Sequence, residues 1–334
     1  MRLTWEPITL NLRTTFRIAH GASDQRHNVI AHVDEGMGEG AAVSYHGETQ
    51  QGIMAYLARA ASSLGDDPFQ LQETLDALPP GSPAARAAID IALHDLWGRR
   101  LGQPLFRLFG LNPQRAPETS FTIAMDSPEE MARRAKESGL PIVKVKVGGE
   151  DDEAILRAIR SATNARLRVD ANAGWTRAQA AALIPRLAQY DVELVEQPVA
   201  MGDIDGLRHL HSQRLGVPIF ADENIKTARD VAAHAGAVDG VVIKLMKSGG
   251  IREAMRAIAA ARALDMQVML GCMIETAVGV TAAAQLAPLC DYADLDGPLL
   301  ITDDPYAGVQ YQGARLILPH GPGLGVVRRE PAGH

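Results

Sequence analysis

Hydrophobic and polar residues follow one pattern in the first third of the chain and another in the rest. Leu3 to Leu12 alternates in polarity and Asn28 to Val33 is a short apolar run, so both are predicted strands. The glycine-rich stretch Gly36–Gly40 predicts a turn before a further strand at 41–45. From Ser82 to Trp97 apolar positions repeat at helical spacing behind a serine and a proline, which predicts a capped helix.

From about residue 118 short apolar segments alternate with amphipathic ones. Eight segments are predicted strands: Ser120–Ala124, Ile142–Val147, Leu167–Asp170, Val192–Glu196, Ile219–Ala221, Val241–Leu245, Val268–Leu270 and Tyr292–Leu295. Intervening stretches such as Asp151–Ala162 and Ile251–Leu264 are predicted helices. The strands are nearly continuous in apolar character, which predicts a parallel sheet buried on both faces. Eight such strands with crossover helices predict a TIM-like barrel. An open doubly wound sheet is the alternative, but no Gly-x-Gly-x-x-Gly sequence follows the first strand.

Composition and charge argue against several classes of protein. Hydrophobic residues make up 46% of the chain and aromatic residues 4%, so aliphatic side chains must fill the core. A formal net charge of −7 without a basic patch argues against a nucleic-acid partner. Cys272 and Cys290 form no C-x-x-C pair, so neither a disulfide framework nor a zinc site is indicated. Without a signal-like N-terminus or a long apolar run, we expect a cytoplasmic protein with no membrane partner.

Charged residues stand at the ends of five successive predicted strands. They are Lys146, Asp170, Glu196, Asp222 and Lys244, and consecutive members are 22 to 26 residues apart. That interval is one strand-plus-helix unit, so in a barrel these residues meet at one mouth, where the catalytic groups of such folds lie. Three converging carboxylates repel one another unless a cation binds them, and an all-oxygen ligand set favours Mg²⁺, with Mn²⁺ as the alternative. The sequence therefore predicts that Asp170, Glu196 and Asp222 are metal ligands.

The two lysines of this set predict a reaction at carbon. Lys146 and Lys244 lie in apolar strands, the second and the sixth, where a lysine needs a partner or a lowered pKa. A neutral lysine can remove a proton from carbon, and a metal ion can stabilise the enediolate that forms beside a carboxylate. Since one lysine lies on each side of the carboxylates, one can remove the proton and the other can return a proton to the opposite face. The sequence thus predicts a racemase or an epimerase.

These motifs resemble those of the enolase superfamily, in its muconate-lactonizing-enzyme subgroup, over nearly the whole chain. The resemblance is carried by the Lys-x-Lys sequence at 144–146, the three carboxylates, Lys244 and the helical segment Ala88–Gly98. Sites of that superfamily are known to combine a lysine or histidine base with Mg²⁺. The resemblance implies an α/β fold with a (β/α)7β barrel at 114–309. It also implies an α+β capping domain at 1–113, completed by residues from about 310 to 334.

Within the subgroup the chain resembles the dipeptide epimerases, of which L-Ala-D/L-Glu epimerase is typical. The segments Gly271–Met273 and Asp294–Pro298 carry this resemblance. It implies epimerisation of a dipeptide at the α-carbon next to its carboxylate, with a small-molecule partner. The residues implied to contact the substrate are Asp294 and Asp296, which would hold its α-ammonium, and Thr122 and Lys144.

The resemblance also identifies residues around the ligands and near the substrate side chain. In Ala-Glu epimerases an arginine of the cap loop meets the glutamate side chain. The corresponding loop here is Phe16–Arg26, in which Arg17 and Arg26 are candidates and Ser23 is an alternative occupant of that position. The residues expected to surround the metal ligands or to contribute to specificity are Asn172, Glu223, Met273 and Glu275.

Other functions share part of this pattern. N-acylamino-acid racemases, cycloisomerases and o-succinylbenzoate synthases of the same subgroup use the same lysines and carboxylates. Asp294 and Asp296 discriminate against them, because an N-acylated substrate has no ammonium to bind. A non-catalytic barrel that binds a small acid is disfavoured by the presence of both lysines. We expect the chain to assemble as a homo-oligomer.

Overall fold

An antiparallel sheet and helices form the N-terminal part of the computed structural model, which describes residues 1–19, 21–43, 46–149 and 151–330. The strands are β1 (Leu3–Ile18), β2 (Gly21–Val33) and β3 (Gly36–Ala41), paired in that order. The helices are α1 (Gln50–Ala60), α2 (Leu71–Ala77), α3 (Pro83–Leu101) and α4 (Leu105–Leu108). Helix α3 begins as predicted, since the Ser82 side chain accepts a hydrogen bond from Ala85 N and Pro83 occupies its first turn.

The β1–β2 hairpin is longer than predicted. Residues 16–18 and 21–26, predicted as part of a loop, continue the two strands, and the pairing register shifts between Asn11 and Phe16. The polarity pattern missed this extension because most residues beyond Leu10 are exposed or half-buried, so no buried face alternates with a polar one. The hairpin end is held against later parts of the chain: Met125 N donates to Arg17 O over 3.0 Å, and Arg13 Nε donates to Leu299 O over 2.9 Å.

The predicted turn at Gly36–Gly40 is wrong, because these residues form strand β3. The turn lies at Asp34–Glu35, where Asp34 has a φ of 49°. The glycines instead allow the strand to lie directly on α3: a Cβ at Gly38 would stand 2.1 Å from Ala88 O. Of the strand predicted at 41–45, only residue 41 is in β3, and 44 and 45 lie outside the described residues.

After the N-terminal part, the chain forms the barrel that the strand–helix repeat predicted. Its parallel strands, hydrogen-bonded in chain order, are β4 (Phe121–Ile123), β5 (Ile142–Lys146), β6 (Arg166–Asp170), β7 (Val192–Glu196), β8 (Ile219–Ala221), β9 (Gly240–Lys244), β10 (Gln267–Gly271) and β11 (Tyr292–Asp294). A bridge between Thr119 and Ala293 joins the first edge to the last. The helices of this part are α5 (Pro128–Ser138), α6 (Asp152–Ala162), α7 (Arg177–Leu187), α8 (Ile204–Ser212), α9 (Ala228–Ala233), α10 (Leu245–Ser248), α11 (Ile251–Ala263) and α12 (Ala277–Ala284). The predicted fold class is confirmed.

The two faces of each barrel strand carry different residues. On β5, Val143 and Val145 belong to the large core that includes helix residues such as Leu156, while the alternate residues are Lys144 and Lys146. Inside the barrel a separate apolar cluster lies one layer below the charged residues. Its members are Leu194, Phe220, Val242 and Met269, of which the first three stand two positions before Glu196, Asp222 and Lys244. The apolar layer closes the barrel floor and leaves the charged layer at the mouth.

The C-terminal segment returns to the N-terminal part. It contains two small antiparallel pairs, β12 (Tyr306–Ala307) with β15 (Val327–Arg328) and β13 (Gln310–Gln312) with β14 (Arg315–Ile317). Leu324 N donates to Asp95 on α3 over 2.7 Å. No helix within the described residues combines the length and the hydrophobicity that crossing a membrane would require.

Candidate active site

Strand register places the predicted charged residues in one layer at the barrel mouth. Lys146, Asp170 and Glu196 are direct partners across β5, β6 and β7. Gly271 of β10 pairs with Lys244 on one side and with Asp294 on the other. Asp222 follows the last residue of β8 directly. All these charged side chains are buried, with Asp170 and Glu196 fully inaccessible to solvent. The structure therefore brings together the residues that the spacing predicted to converge.

Lys144 contacts three carboxylates of this layer. Its Nζ lies 2.7 Å from Glu196 Oε2, 2.7 Å from Asp294 Oδ2 and 3.0 Å from Asp170 Oδ2. Burial alone would lower the pKa of Lys144, but the surrounding carboxylates, Asp170 first, outweigh it and raise that pKa well above its ordinary value. Lys144 is therefore a permanent positive charge that links the predicted metal ligands to the predicted ammonium site.

Lys146 and Lys244 lie on opposite sides of the carboxylates. Lys146 Nζ is 2.5 Å from Asp170 Oδ2, whereas Lys244 Nζ is 2.7 Å from Asp222 Oδ2 and 3.9 Å from Glu196 Oε1. The pKa values of Asp170 and Asp222 are lowered: burial opposes ionisation, but the neighbouring lysines more than compensate for it. Both carboxylates are therefore ionised at neutral pH, and a lysine stands on either side of them.

Glu196 is the least well satisfied carboxylate of the set. Although Lys144 lies within ion-pairing distance, neither oxygen of Glu196 accepts a hydrogen bond from any described residue in acceptable geometry. Burial and the charge of Asp170 raise the pKa of Glu196 well above its ordinary value. A buried carboxylate without donors is costly unless a cation compensates it.

The donor set suits a hard cation. Asp170, Glu196 and Asp222 offer only oxygen, as Mg²⁺ and Mn²⁺ prefer, and neither oxygen of Glu196 accepts a hydrogen bond in acceptable geometry from a described residue. In the present arrangement the lysine ammonium groups stand against the carboxylate oxygens. In this arrangement no three His, Cys, Asp or Glu side chains of the described ranges form a group that could hold a metal ion. A metal ion at this position would have to replace ammonium contacts.

Asn172 and Glu223 lie beside the predicted ligands. Asn172 N donates to Asp170 Oδ1 over 2.9 Å, and its side-chain Nδ2 donates to Glu223 Oε1 over 3.2 Å. Burial and the charge of Asp222 raise the pKa of Glu223 to about 7. Both residues therefore lie beside the predicted ligands, on the side of the site next to β6 and β8.

A cleft of about 580 Å³ opens above the charged layer. The residues at its floor include Thr122, Lys144, Lys146, Lys244, Asp294 and Asp296. Asp296 Oδ2 accepts a hydrogen bond from Thr122 N over 2.6 Å, and Asp294 Oδ1 accepts one from Ser120 Oγ over 2.6 Å. The cleft thus has both predicted bases and both predicted ammonium ligands on one floor.

The end of the β1–β2 hairpin forms the roof of the cleft. Phe16, Ile18, Ser23 and Arg26 line it, and the Arg26 guanidinium lies 5.7 Å from the centre of the Phe16 ring. Arg17 is not among the described residues that line the cleft, and its carbonyl binds Met125 N. Of the two candidate arginines, Arg26 is the one placed to meet a substrate.

Met273 and Glu275 differ in position. Met273 lines the cleft, as do its neighbours Cys272 and Ile274. Glu275 is buried and does not line the cleft in the described part of the chain; its Oε1 accepts a hydrogen bond from Met273 N over 2.7 Å. Burial, together with Glu39, raises the pKa of Glu275 well above its ordinary value. Glu275 therefore holds the backbone of the loop after β10 from outside the cleft.

Lys247 also belongs to the site, although it was not predicted from the sequence. This lysine is buried in the first turn after β9, and its Nζ contacts Asp222. The available signal was the Lys-x-x-Lys spacing of 244 and 247, which places two side chains near each other only if both lie on one helix. Only the short helix α10, which begins directly at the end of the strand, turns Lys247 towards the barrel.

A parallel barrel with lysines and carboxylates at its mouth, beneath a mixed sheet-and-helix cap, defines an enzyme of the enolase type. Residues 127–332 match the family model described as enolase C-terminal domain-like. Residues 5–110 match the model of the mandelate racemase/muconate lactonizing enzyme N-terminal domain. The chain belongs to the mandelate racemase/muconate lactonizing enzyme family of the enolase superfamily.

Relatives within this family share nearly the whole chain. The L-Ala-D/L-Glu epimerase of Bacteroides thetaiotaomicron is 40% identical over 98% of this chain and 88% of its own length. The dipeptide epimerase of Enterococcus faecalis V583, solved with Mg and L-Leu-L-Tyr, has a TM-score of 0.92 at 34% identity, covering 97% of this chain and 98% of that one. The substrate-liganded L-Ala-D/L-Glu epimerase of Bacillus subtilis has a TM-score of 0.93 at 32% identity and 98% coverage of both chains. The predicted likeness to dipeptide epimerases is confirmed, as is the prediction of an isomerase.

Proposed function

We propose that this chain epimerises a dipeptide at the α-carbon next to its carboxylate, by proton transfer between two lysines. The observation that carries the proposal is the placement of Lys146 and Lys244 on opposite sides of the carboxylates, on the floor of a cleft that also presents Asp294 and Asp296. A base on each face is what inversion at one carbon requires. The L-Leu-L-Tyr complex of the Enterococcus faecalis dipeptide epimerase supports the substrate class.

The metal in this proposal is Mg²⁺, with Mn²⁺ as the alternative. Asp170, Glu196 and Asp222 would hold it, since they supply only oxygen and Glu196, although it is ion-paired with Lys144, accepts no hydrogen bond in acceptable geometry from a described residue. When bound, the ion would stabilise negative charge that develops on the substrate carboxylate. The Enterococcus faecalis epimerase solved with Mg supports this assignment.

Each remaining group has a role in binding or proton transfer. One of Lys146 and Lys244, in its neutral form, accepts the α-proton, and the other, as ammonium, donates a proton to the opposite face. Asp294 and Asp296 would bind the α-ammonium of the dipeptide, with Thr122 N holding Asp296 in place. Arg26, at the cleft roof, would pair with an acidic side chain of the C-terminal residue.

Deuterium exchange in D₂O tests the two-base assignment. With Mg²⁺ present, the protein should incorporate deuterium at the α-carbon of its dipeptide and invert that carbon. Lys146→Ala and Lys244→Ala should each lose inversion by about 100-fold or more. Each variant should still exchange the proton of the one epimer that faces its remaining lysine. The matched control is Lys136→Ala on the exposed face of α5, which should behave as the parent protein.

Two results would contradict the proposal. Full inversion by either lysine variant would exclude the two-base mechanism. Absence of deuterium incorporation into every member of a dipeptide library, read by mass spectrometry with Mg²⁺ present, would exclude dipeptide epimerisation itself. The same library would report which C-terminal residue is preferred, and Arg26 leads us to expect an acidic one.

A further inference from the structure

Lys247 makes an unusual set of contacts for a lysine. The residue is 4% exposed, and its Nζ contacts both Asp222 Oδ1 and the carbonyl oxygen of Asp222. A third acceptor, Val242 O, lies 3.2 Å away. An ammonium group has three N–H donors, so three acceptors match its full capacity.

These contacts divide the Asp222 carboxylate into two sides. Oδ1 faces Lys247, behind the charged layer, whereas Oδ2 faces Lys244 at 2.7 Å. Lys244 in turn lies 3.9 Å from Glu196, so Oδ2 is the oxygen on the side of the other proposed ligands. The backbone of the same residue is held as well, because Asp222 N donates to Gln197 Oε1 over 2.9 Å.

The element that carries Lys247 is itself fixed. Helix α10 is a single turn that begins at the end of β9. Its Met246 Sδ accepts a hydrogen bond from Ala41 N at the end of β3, over 3.3 Å. The position of Lys247 is thus defined from two directions, by the barrel strand before it and by the N-terminal sheet.

We propose that Lys247 is a positioning residue for the metal site: it holds Oδ1 and the backbone of Asp222 so that Oδ2 is presented to the metal ion. This inference rests on the proposed magnesium site. Lys247 has no part in proton transfer, since all of its donors are used by acceptors that belong to the protein. Groups that orient a metal ligand from behind typically change metal affinity or activity 10- to 100-fold when they are removed.

The test compares Lys247→Met with Lys226→Met. Both lysines line the same small cavity next to Met246, but Lys226 is exposed and its side chain makes no contact with Asp222 among the described residues. Titration calorimetry with MgCl₂ alone, without substrate, should show Mg²⁺ binding weakened about 10- to 100-fold in Lys247→Met and unchanged in Lys226→Met. Circular dichroism without Mg²⁺ should show both variants folded.

A second measurement does not depend on the variant folding. In a crystal structure of the parent protein with Mg²⁺, Lys247 Nζ should remain within hydrogen-bond distance of Asp222 Oδ1. Mg²⁺ affinity of Lys247→Met within twofold of the parent, or Lys247 displaced from Oδ1 in the crystal, would overturn the role of Lys247 alone. Failure of the parent protein to bind Mg²⁺ at all would instead overturn the proposed metal site, and this inference with it.

Discussion

Asp294 and Asp296 are two residues apart and have different charge states. Burial opposes the ionisation of both. Lys144, 2.7 Å away, nevertheless lowers the pKa of Asp294, whereas burial and the charge of Asp294 raise the pKa of Asp296 to about 7. The pair therefore carries one fixed negative charge and one that titrates near neutrality.

This difference predicts a pH dependence for dipeptide binding. An ammonium pairs best with an ionised carboxylate, so the affinity should rise as the pH rises through about 7 and Asp296 loses its proton. It should fall again above about 8, where an α-amino group loses its own proton. The measurement is the dipeptide Kd by calorimetry between pH 5.5 and 9, in roughly half-unit steps.

The control for this prediction is Asp296→Asn. The variant should bind the dipeptide less tightly, lose the rise near pH 7 and keep its Mg²⁺ affinity. An N-acetylated dipeptide, which has no ammonium, should show no rise with either protein. Equal affinity of the parent protein for the free and the acetylated dipeptide would refute the ammonium-binding role of Asp296.

For individual residues, spacing along the sequence predicted the position in the site wherever the residue ends a strand. Asp170 and Glu196 meet because parallel strands in register bring their ends together, and that register follows from the repeat length. Lys247 could not be found in this way, because its direction depends on a one-turn helix that periodicity does not resolve. The side that Arg26 faces could not be found either, because it depends on a hairpin with no hydrophobic alternation.

Among the elements, the contact between β3 and α3 depends on the glycines that were predicted to form a turn. Gly36, Gly38 and Gly40 alternate along β3, and their missing side chains accommodate the α3 backbone. A Cβ at Gly38 would lie 2.1 Å from Ala88 O and 2.7 Å from Ala92 N, both of which are backbone atoms that cannot rotate away. The sequence pattern predicted a turn because glycine is common both in turns and in strands that pack closely on a helix. Only the alanines of α3 that face these glycines distinguish the two cases.

We therefore expect Gly38→Ala to destabilise the fold. Overpacking of this kind lowers the free energy of unfolding by about 1–3 kcal/mol or more. The matched control is Gly65→Ala, where an added Cβ meets only Thr74 Oγ1 at 3.8 Å, an ordinary contact. Urea denaturation of both variants measures the effect, and equal stabilities would show that β3 does not lie directly on α3.

In the whole molecule, acidic side chains of the N-terminal part accept hydrogen bonds from backbone N–H groups at the starts of barrel helices. Asp90 of α3 accepts a hydrogen bond from Ile251 N over 2.6 Å, at the start of α11, where Gly250 offers no side-chain cap. Glu39 of β3 accepts hydrogen bonds from Thr276 N and Gly279 N at the start of α12. These carboxylates bind the unpaired N–H groups that every helix start presents.

The contact between His94 and Asp90 should make the stability of the fold depend on pH. Burial alone would lower the pKa of His94, but Asp90, 3.2 Å away, outweighs it and raises the pKa above its ordinary value of 6.5. Because the folded state binds the proton more tightly, the stabilisation is fully present below pH 6.5 and is lost as the pH rises through the higher folded value. His94→Gln should therefore lower the free energy of unfolding more at pH 6 than at pH 9. Urea denaturation at both values measures this, and an equal loss would contradict it.

The carboxylates at 39 and 90 also limit how this protein can be recombined with others. Consider a chimera that joins this barrel to the N-terminal part of a relative. The N–H groups at the starts of α11 and α12 keep their acceptors only if that N-terminal part has acidic residues at the positions equivalent to 39 and 90. Exchange of the whole cap, as a route to new substrate preference, must carry these two residues along. Exchange of the hairpin end alone avoids that requirement, because the roof of the cleft contains neither of them.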